Sequence, residues 1–185
     1  MPLFPDAGDD AFDHRPCFTY WESPIGWLRL DADNRAVWRI RFMDEAPSPQ
    51  DVSIRNVLER DALIANERTL QEGVAQLIAY FAGTRRTFDF PMENPGTPFR
   101  QQVWQTLCTI PYGETASYKD IAIAIHNPKA VRAIGSANHH NNLWLVVPCH
   151  RIIGSNGDLV GYGGGLWRKA WLLAHEKKHA MTQPL

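Results

Sequence analysis

The sequence predicts an α/β (α+β) fold in two domains, an N-terminal antiparallel sheet with one helix and a mostly helical C-terminal domain. Three observations support it: strand-like runs between turns over residues 17–42, helical spacing of apolar residues beyond residue 95, and a proline-rich segment between the two regions. The chain has 185 residues, of which 44% are hydrophobic, enough for two small domains. We expect these domains at residues 17–94 and 95–185, after a mobile tail at residues 1–16.

Residues 17–42 have the pattern of an antiparallel meander. Three runs, 18–21, 27–32 and 36–42, are separated by segments rich in Pro, Gly, Asp and Asn, which favour turns. In the third run apolar and basic residues alternate, as in a strand with one buried face: Trp38, Arg39, Ile40, Arg41 and Phe42. Apolar residues at helical spacing before Gly83 then predict a helix that covers the sheet: Leu70, Val74, Leu77, Ile78 and Phe81.

Helices dominate the prediction beyond residue 95. Thr97-Pro98 is typical of a helix start, with Thr97 as the N-cap. A second helix is expected over residues 117–125 and a third over residues 129–138, with Asn127-Pro128 between them. Two short helices joined by a tight turn predict a helix-turn-helix.

The third predicted helix has few side chains that could read base edges. Arg132 and Lys129 are its only long basic residues, and small residues leave one side almost flat: Ala130, Ala133, Gly135, Ser136 and Ala137. Such a surface suits close approach to a nucleic-acid backbone or a narrow groove. A helix packed tightly on its neighbour would have the same composition, so both interpretations stay open at this point.

The two halves of the chain carry opposite charge. Residues 1–98 hold 10 Lys and Arg against 16 Asp and Glu, whereas residues 99–185 hold 9 against 4 and six of the seven histidines. This asymmetry suggests an anionic partner for the C-terminal half, although such a split also arises by chance. No apolar run is long enough to cross a bilayer, and the N-terminus lacks the pattern of a signal peptide, so we expect a cytoplasmic protein without a membrane partner.

Cys149 is the candidate nucleophile. The three cysteines have no CxxC spacing, which argues against a disulfide framework and a zinc site, and we expect neither a metal nor a cofactor. Cys149 follows an apolar run, residues 143–147, that we predict to be a buried strand. His150 after it is a proton acceptor, and the charge of Arg151 would favour the thiolate.

Two further parts of a site are predicted around Cys149. Adjacent side chains on a strand point to opposite faces, so we expect a water between Cys149 and His150. Glu176 follows an apolar helix and would either orient His150 or be a solvated charge at a helix end. Residues 154–165 contain six glycines without the spacing of a nucleotide-phosphate loop. They would form either a wall against which a flat base can stack or a flexible surface loop.

Together these residues resemble the O6-alkylguanine-DNA alkyltransferase family. The motif Pro148-Cys149-His150-Arg151, followed by Gly161-Tyr162-Gly163-Gly164-Gly165 and Glu176 at these spacings, is highly specific. The similarity covers residues 17–176 and includes segments 23–26 and 96–99. It implies a ribonuclease-H-like N-terminal sheet domain.

The resemblance implies a single-use DNA repair protein. An alkyl group would pass from O6-alkylguanine in double-stranded DNA, and also from O4-alkylthymine, to Cys149, which is not regenerated. The alternative is a non-catalytic module that binds alkylated DNA, although relatives of that kind lack the cysteine. A cysteine hydrolase that uses Cys149, His150 and Glu176 is a third possibility. We expect a monomer.

The resemblance also implies residue roles. Cys149 would be the nucleophile, His150 its base and Glu176 the residue that orients His150. Asn141 would buttress the site, Tyr118 would give a proton to the leaving guanine, and Lys169 would support the pocket. Arg132 would take the place of the flipped nucleotide. The other expected DNA contacts are Ser117, Lys129, Ala133 and Gly135, and the expected base pocket is Tyr162, Gly163 and Gly164.

Four positions depart from the commoner family pattern. His126 stands where a glycine often precedes the turn, and Asn142 replaces a proline. His139 and His140 stand where the family usually has a Gly-like and an Arg-like residue. These differences concern local DNA contacts and leave the residues of the chemistry in place.

Overall fold

The computed structural model describes residues 17–48 and 60–181, and the predicted tail at residues 1–16 lies outside this part. The described residues form two compact units, one up to Asn94 and one from Pro95. Within them, no helix has both the length and the apolar character that a membrane crossing requires.

The N-terminal unit is an antiparallel sheet covered by a long helix. Strands β1 (Cys17–Ser23), β2 (Gly26–Ala32) and β3 (Val37–Phe42) lie side by side in chain order, as the meander predicts. Helix α1 (Arg60–Phe81) packs against all three strands. The core between them is fully buried and includes Leu28, Leu30, Ile40, Leu77 and Tyr80.

Details of this unit differ from the prediction in one place. Ile78 is 48% exposed, so its expected position on the buried face of α1 is wrong. Leu77, as predicted, and Tyr80, which the prediction did not include, lie on the inward side, one and two residues away along the helix. Gly83 follows the helix with φ 74°, and its N–H donates to the carbonyl of Tyr80, so the predicted glycine stop is present.

The C-terminal unit is mostly helical. It contains α2 (Pro98–Cys108), α3 (Tyr118–Ala124), α4 (Val131–His139) and α5 (Leu166–Ala180), with two short parallel strands, β4 (Ala116–Ser117) and β5 (Ile152–Ile153). Thr97 caps α2, and its side chain accepts a hydrogen bond from the backbone N–H of Arg100. Trp104 of α2 is fully buried and its Nε1 donates to the carbonyl of Ala137, which joins α2 to α4.

Helices α3 and α4 form the predicted helix-turn-helix. Ser117 and Asp120 form a capping box at the start of α3. Helix α4 begins at Val131, later than the predicted Lys129, because the N–H of Ala130 bonds to the carbonyl of Asn127 within the connecting turn. His126 has φ 55° in that turn, a left-handed conformation that favours glycine.

The predicted strand over residues 143–147 is wrong. These residues form a turn, in which the N–H of Val147 donates to the carbonyl of Leu143 (2.9 Å) and Leu145 has φ 73°. The run is apolar because Leu143, Leu145 and Val147 are buried, and a short apolar run does not distinguish a strand from a buried turn. Cys149 follows in a 3₁₀ turn, Cys149–Arg151.

Candidate active site

Cys149 lies in the wall of a cavity of about 380 Å³ in the C-terminal unit. Helices α3 and α4, the 143–147 turn and the glycine-rich segment all contribute to this wall. The lining residues are Tyr118, Gly135, Asn138, His139, Trp144, Cys149, Gly161, Tyr162 and Gly163. The glycine-rich segment therefore forms one side of a pocket that contains the nucleophile.

Gly164 does not line this cavity, which corrects its predicted place in the base pocket. It is buried, and its carbonyl accepts a hydrogen bond from Nη1 of Arg168 (2.9 Å). This hydrogen bond ties Gly164 to the start of α5.

Asn141 connects the turn to the thiol. Its Nδ2 donates to the carbonyl of Val147 (2.9 Å) and to Sγ of Cys149 (3.3 Å), and its Oδ1 accepts from the N–H of Leu143 (3.0 Å). Burial raises the pKa of Cys149, while the Asn141 hydrogen bond and the Lys169 charge act in the opposite direction. The resting residue is therefore a thiol, and the expected excess of thiolate is absent.

His150 and Glu176 form a buried pair. Nε2 of His150 and Oε1 of Glu176 are 2.8 Å apart, and both side chains are fully buried. Burial lowers the pKa of His150, although Glu176 acts in the opposite direction, so the ring is neutral at rest. Nε2 then carries the proton that is donated to Glu176, and Nδ1 is the basic nitrogen. Nδ1 makes no hydrogen bond to any described residue, and the bridging water to Cys149 stays a prediction.

Arg151 completes the binding of the Glu176 carboxylate. Its Nε donates to Oε2 (2.9 Å) and its Nη2 to Oε1 (3.1 Å), and the N–H of Gly113 also donates to Oε2 (3.1 Å). Burial opposes ionisation of Glu176, but the hydrogen bonds from His150 and Arg151 and the charge of Arg151 outweigh it and hold its pKa well below the usual range. Glu176 is thus a buried partner of His150 and not a solvated charge.

The expected effect of Arg151 on Cys149 is wrong, because Arg151 pairs with Glu176. Lys169 is the cation that favours the thiolate. Its Nζ donates to the carbonyls of Ile152, Val160 (2.6 Å) and Gly161 (3.5 Å), so it also fixes the glycine-rich wall. Burial lowers the pKa of Lys169 to about 8.

Tyr118 and Tyr162 both line the cavity. Burial raises the pKa of both hydroxyls, which stay protonated at neutral pH. The ring of Tyr162 lies against His150, with centroids 6.4 Å apart, and the hydroxyl of Tyr118 lies 3.5 Å from a Cβ built on Gly161. A proton donor is therefore available inside the cavity.

The predicted DNA contacts lie on or next to the helix-turn-helix. Arg132 and Ala133 are exposed on α4, and Lys129 is exposed in the turn before it. Gly135 lies further along α4 and lines the cavity, while Ser117 caps α3. Helix α4 therefore presents Arg132 to solvent and borders the pocket with its later residues.

Trp144 and Gly113 have places in the site that the sequence did not indicate. Trp144 lines the cavity, its Nε1 donates to the carbonyl of Asn141 (3.0 Å), and its ring packs on Tyr162 with centroids 5.6 Å apart. A Cβ on Gly163 would lie 2.6 Å from the Trp144 ring, so this glycine leaves space for the indole. In the sequence, Trp144 differs from its neighbours only by lying shortly before the cysteine motif, and Gly113 only by lying at the end of a predicted helix.

The described ranges, 17–48 and 60–181, contain no candidate metal site. No three His, Cys, Asp or Glu side chains there are grouped closely enough to hold a metal ion.

Comparisons with known proteins match both units. Residues 17–94 match the family model of the 6-O-methylguanine DNA methyltransferase ribonuclease-like domain, and residues 98–178 match that of the DNA-binding domain. A methylated-DNA–protein-cysteine methyltransferase of Mycolicibacterium paratuberculosis is 45% identical over 159 residues, which cover 86% of this chain and 91% of the relative. A constitutive one of Bacillus subtilis is 42% identical over 161 residues, 86% of this chain and 94% of the relative.

Solved structures agree with this assignment. The Mycobacterium tuberculosis O6-methylguanine methyltransferase has a TM-score of 0.74 and 40% identity, with 91% of this chain and 97% of that chain covered. A structure of the M. tuberculosis protein in complex with DNA has a TM-score of 0.73 and 41% identity, with coverage of 88% and 93%. The chain therefore belongs to the O6-methylguanine DNA methyltransferase family.

Proposed function

We propose that this chain repairs double-stranded DNA by transferring the alkyl group of O6-alkylguanine to Cys149, once per molecule. The observation that carries the proposal is the position of Cys149. Its side chain lines a cavity and accepts a hydrogen bond from Asn141, and the next residue, His150, pairs with the buried Glu176. O6 of a guanine inside a duplex is out of reach of a recessed thiol, so the damaged nucleotide must be extruded into the cavity.

The transfer is a nucleophilic displacement at the alkyl carbon, accompanied by proton transfers at the thiol and at the leaving purine. Nδ1 of His150 takes the thiol proton of Cys149, through a bridging water, and leaves a thiolate. Sγ then bonds to the alkyl carbon as the bond from that carbon to O6 breaks, and the electron pair passes to the purine. Tyr118 gives a proton to the purine, so that neutral guanine leaves and Tyr118 becomes a tyrosinate. The proton taken up by His150 then returns through solvent to Tyr118, so that both residues end neutral and Cys149 ends as a thioether.

The buried carboxylate lowers the free-energy cost of proton transfer from Cys149 to His150. Glu176 raises the pKa of His150 against the effect of burial and would stabilise the imidazolium as it forms. Arg151 and the N–H of Gly113 hold both oxygens of Glu176. Lys169 would stabilise the thiolate and fix the wall against which the base lies.

Binding of the duplex would rest on the helix-turn-helix. Arg132 is exposed on α4 and would occupy the space that the extruded nucleotide leaves in the stack. The flat side of α4, with Ala133 and Gly135, suits the minor groove, and Ser117 and Lys129 lie where the backbone would pass. Tyr162 and Gly163 would form walls of the base pocket.

A turnover experiment tests this proposal against its rivals. The protein is mixed with a duplex that contains one O6-methylguanine, and methyl transfer is followed by intact-protein mass. We expect one methyl group per protein molecule and no further reaction with excess DNA, while Cys149→Ser binds the duplex without a mass change. Binding without transfer by the parent protein would identify a non-catalytic module. Repeated hydrolysis of an ester would identify a cysteine hydrolase.

A thymine lesion extends the same experiment. Methyl transfer from O4-methylthymine is expected at the same cysteine. The monomeric state and the cytoplasmic location also stay predictions. Sedimentation with and without DNA would test the monomeric state.

A further inference from the structure

The N-terminal sheet has an outer face rich in arginine. Leu30 points towards α1, since a Cβ on Gly73 of that helix would lie 3.3 Å from it, and Ile40 of β3 pairs with Leu30. Side chains alternate along a strand, so Arg29 and Arg41, next to Leu30 and Ile40, lie on the opposite face. The strand register pairs Arg29 with Arg41 and Asp31 with Arg39. On β1, Phe18 and Tyr20 pair with Asp31 and Arg29, so three arginines and two aromatic rings are neighbours.

One of these arginines is neutralised within the sheet. Nη2 of Arg29 lies 2.6 Å from Oδ1 of Asp31, and its guanidinium lies over the Phe18 ring, 4.2 Å from the centroid. Asp31 is only 3% exposed, and Arg29 is the arginine that forms an ion pair with it within the described residues. Glu22, the other acidic residue of this face, is on β1, at the opposite edge of the sheet from β3.

The arginines of β3 have no such partner. Neither Arg39 nor Arg41 forms a salt bridge with a described carboxylate. Arg39 lies over the Trp38 ring (4.8 Å), and its buried Nε makes no hydrogen bond within the described residues. Arg41 is exposed, and burial and the charges of Arg39 and Arg29 lower its pKa against the opposing charge of Asp31. Within the described residues, two guanidinium groups without an ion pair of their own thus lie close together, in a half of the chain that is otherwise acidic.

We propose that this arginine face, Arg29, Arg39 and Arg41 with Phe18 and Tyr20, is a second DNA-binding surface that contacts backbone phosphates. Guanidinium groups bind phosphate oxygens in pairs of hydrogen bonds, and their charge complements a polyanion. The inference rests on the proposed function, since DNA is the polyanion on which this protein would act. The surface carries no base-reading side chains other than arginine, so its contribution is independent of sequence and of base extrusion.

Salt dependence of DNA binding tests the arginine face. The double variant Arg39→Gln/Arg41→Gln is titrated with an undamaged duplex at several NaCl concentrations. Loss of two phosphate contacts reduces the slope of log K against log salt by about 1.8 and weakens binding at physiological salt by about 10-fold or more. Transfer from free O6-benzylguanine should be unchanged, because the free base does not need the phosphate contacts.

A matched variant removes the same charge elsewhere in the unit. Arg68→Gln/Arg85→Gln changes one exposed arginine of α1 and one that pairs with Asp89. This control should keep the parent slope. If the double variant of β3 keeps the parent slope, or if both double variants lose it equally, the arginine face is not a DNA-binding surface.

Two further measurements separate misfolding and failure of the proposed function. If the double variant is misfolded, the single variant Arg41→Gln is measured in its place. It changes only an exposed side chain and should reduce the slope by about 0.9. An unchanged slope in this folded single variant also overturns the proposal. If the parent protein binds DNA but does not transfer a methyl group, the proposed function fails, while the salt slopes still decide whether the arginine face binds DNA.

Discussion

At the scale of single residues, the electrostatics of the site converge on Glu176. Its two oxygens accept from His150, from two nitrogens of Arg151 and from the N–H of Gly113. The carboxylate is fully buried, so its charge is stable only because these donors surround it. This charge favours the protonated form of His150.

Replacement of Glu176 tests this coupling. Glu176→Gln keeps the shape but removes the charge, so His150 accepts the Cys149 proton less readily. We expect transfer to slow by about 10-fold or more, equally for free O6-benzylguanine and for duplex DNA, because activation precedes both reactions. The pH profile of Cys149 alkylation by a small reagent should also move to higher pH.

The neighbouring residue provides the control. Lys177→Gln changes one exposed charge on the same helix and should leave both the transfer rate and the pH profile unchanged. A folded Glu176→Gln variant with the parent rate and profile would show that Cys149 is activated without His150 and Glu176.

At the scale of elements, α4 joins the DNA surface to the pocket. Arg132 is exposed near its start, and Gly135, Asn138 and His139 line the cavity further along. Base extrusion costs a few kcal/mol, which groove contacts and a side chain inserted in the stack must offset. A free base needs neither extrusion nor contacts with a DNA groove.

Arg132→Ala should therefore distinguish the two substrates. Transfer from duplex O6-methylguanine should slow by about 10-fold or more, while transfer from free O6-benzylguanine changes little. Lys119→Ala, an exposed cation on α3, should weaken DNA binding slightly without this difference between substrates. Equal losses on both substrates would mean that Arg132 supports the pocket or the fold.

The turn between α3 and α4 holds a second testable feature. His126 has φ 55°, a conformation that costs an L-residue about 1 kcal/mol and glycine almost nothing. His126→Gly should raise the free energy of unfolding by up to about 1 kcal/mol in urea titrations. Ala133→Gly, at an exposed helical position of α4, should instead lower it by about 1 kcal/mol. A loss of stability in both variants would contradict this explanation.

At the scale of the whole molecule, periodicity predicted most elements but not the path of the chain near the nucleophile. The meander and the helix-turn-helix follow from alternation, helical spacing and turn residues. The turn at residues 143–147 does not, because its residues are all apolar and Leu145 adopts a left-handed conformation that leucine rarely takes. A pattern of burial says nothing about such a φ angle.

The site was predictable to the extent that it is contiguous in sequence. Cys149, His150 and Arg151 are adjacent, whereas the roles of Asn141, Tyr118 and Lys169 came from the family resemblance. The pairing of Arg151 with Glu176 and the packing of Trp144 against Gly163 depend on contacts between distant segments. No local pattern encodes those contacts, which is why Arg151 was assigned to the wrong partner.

The location of the transferred group tests the central claim most directly. After reaction with duplex O6-methylguanine, the protein is digested and the methyl group is mapped by peptide mass spectrometry. Cys149 should carry it stoichiometrically, while Cys17 and Cys108 stay unmodified, because burial raises the pKa of Cys108 to about 11 and neither cysteine lines the cavity. A methyl group on Cys17 or Cys108, or on no cysteine after the lesion has been repaired, would contradict the account.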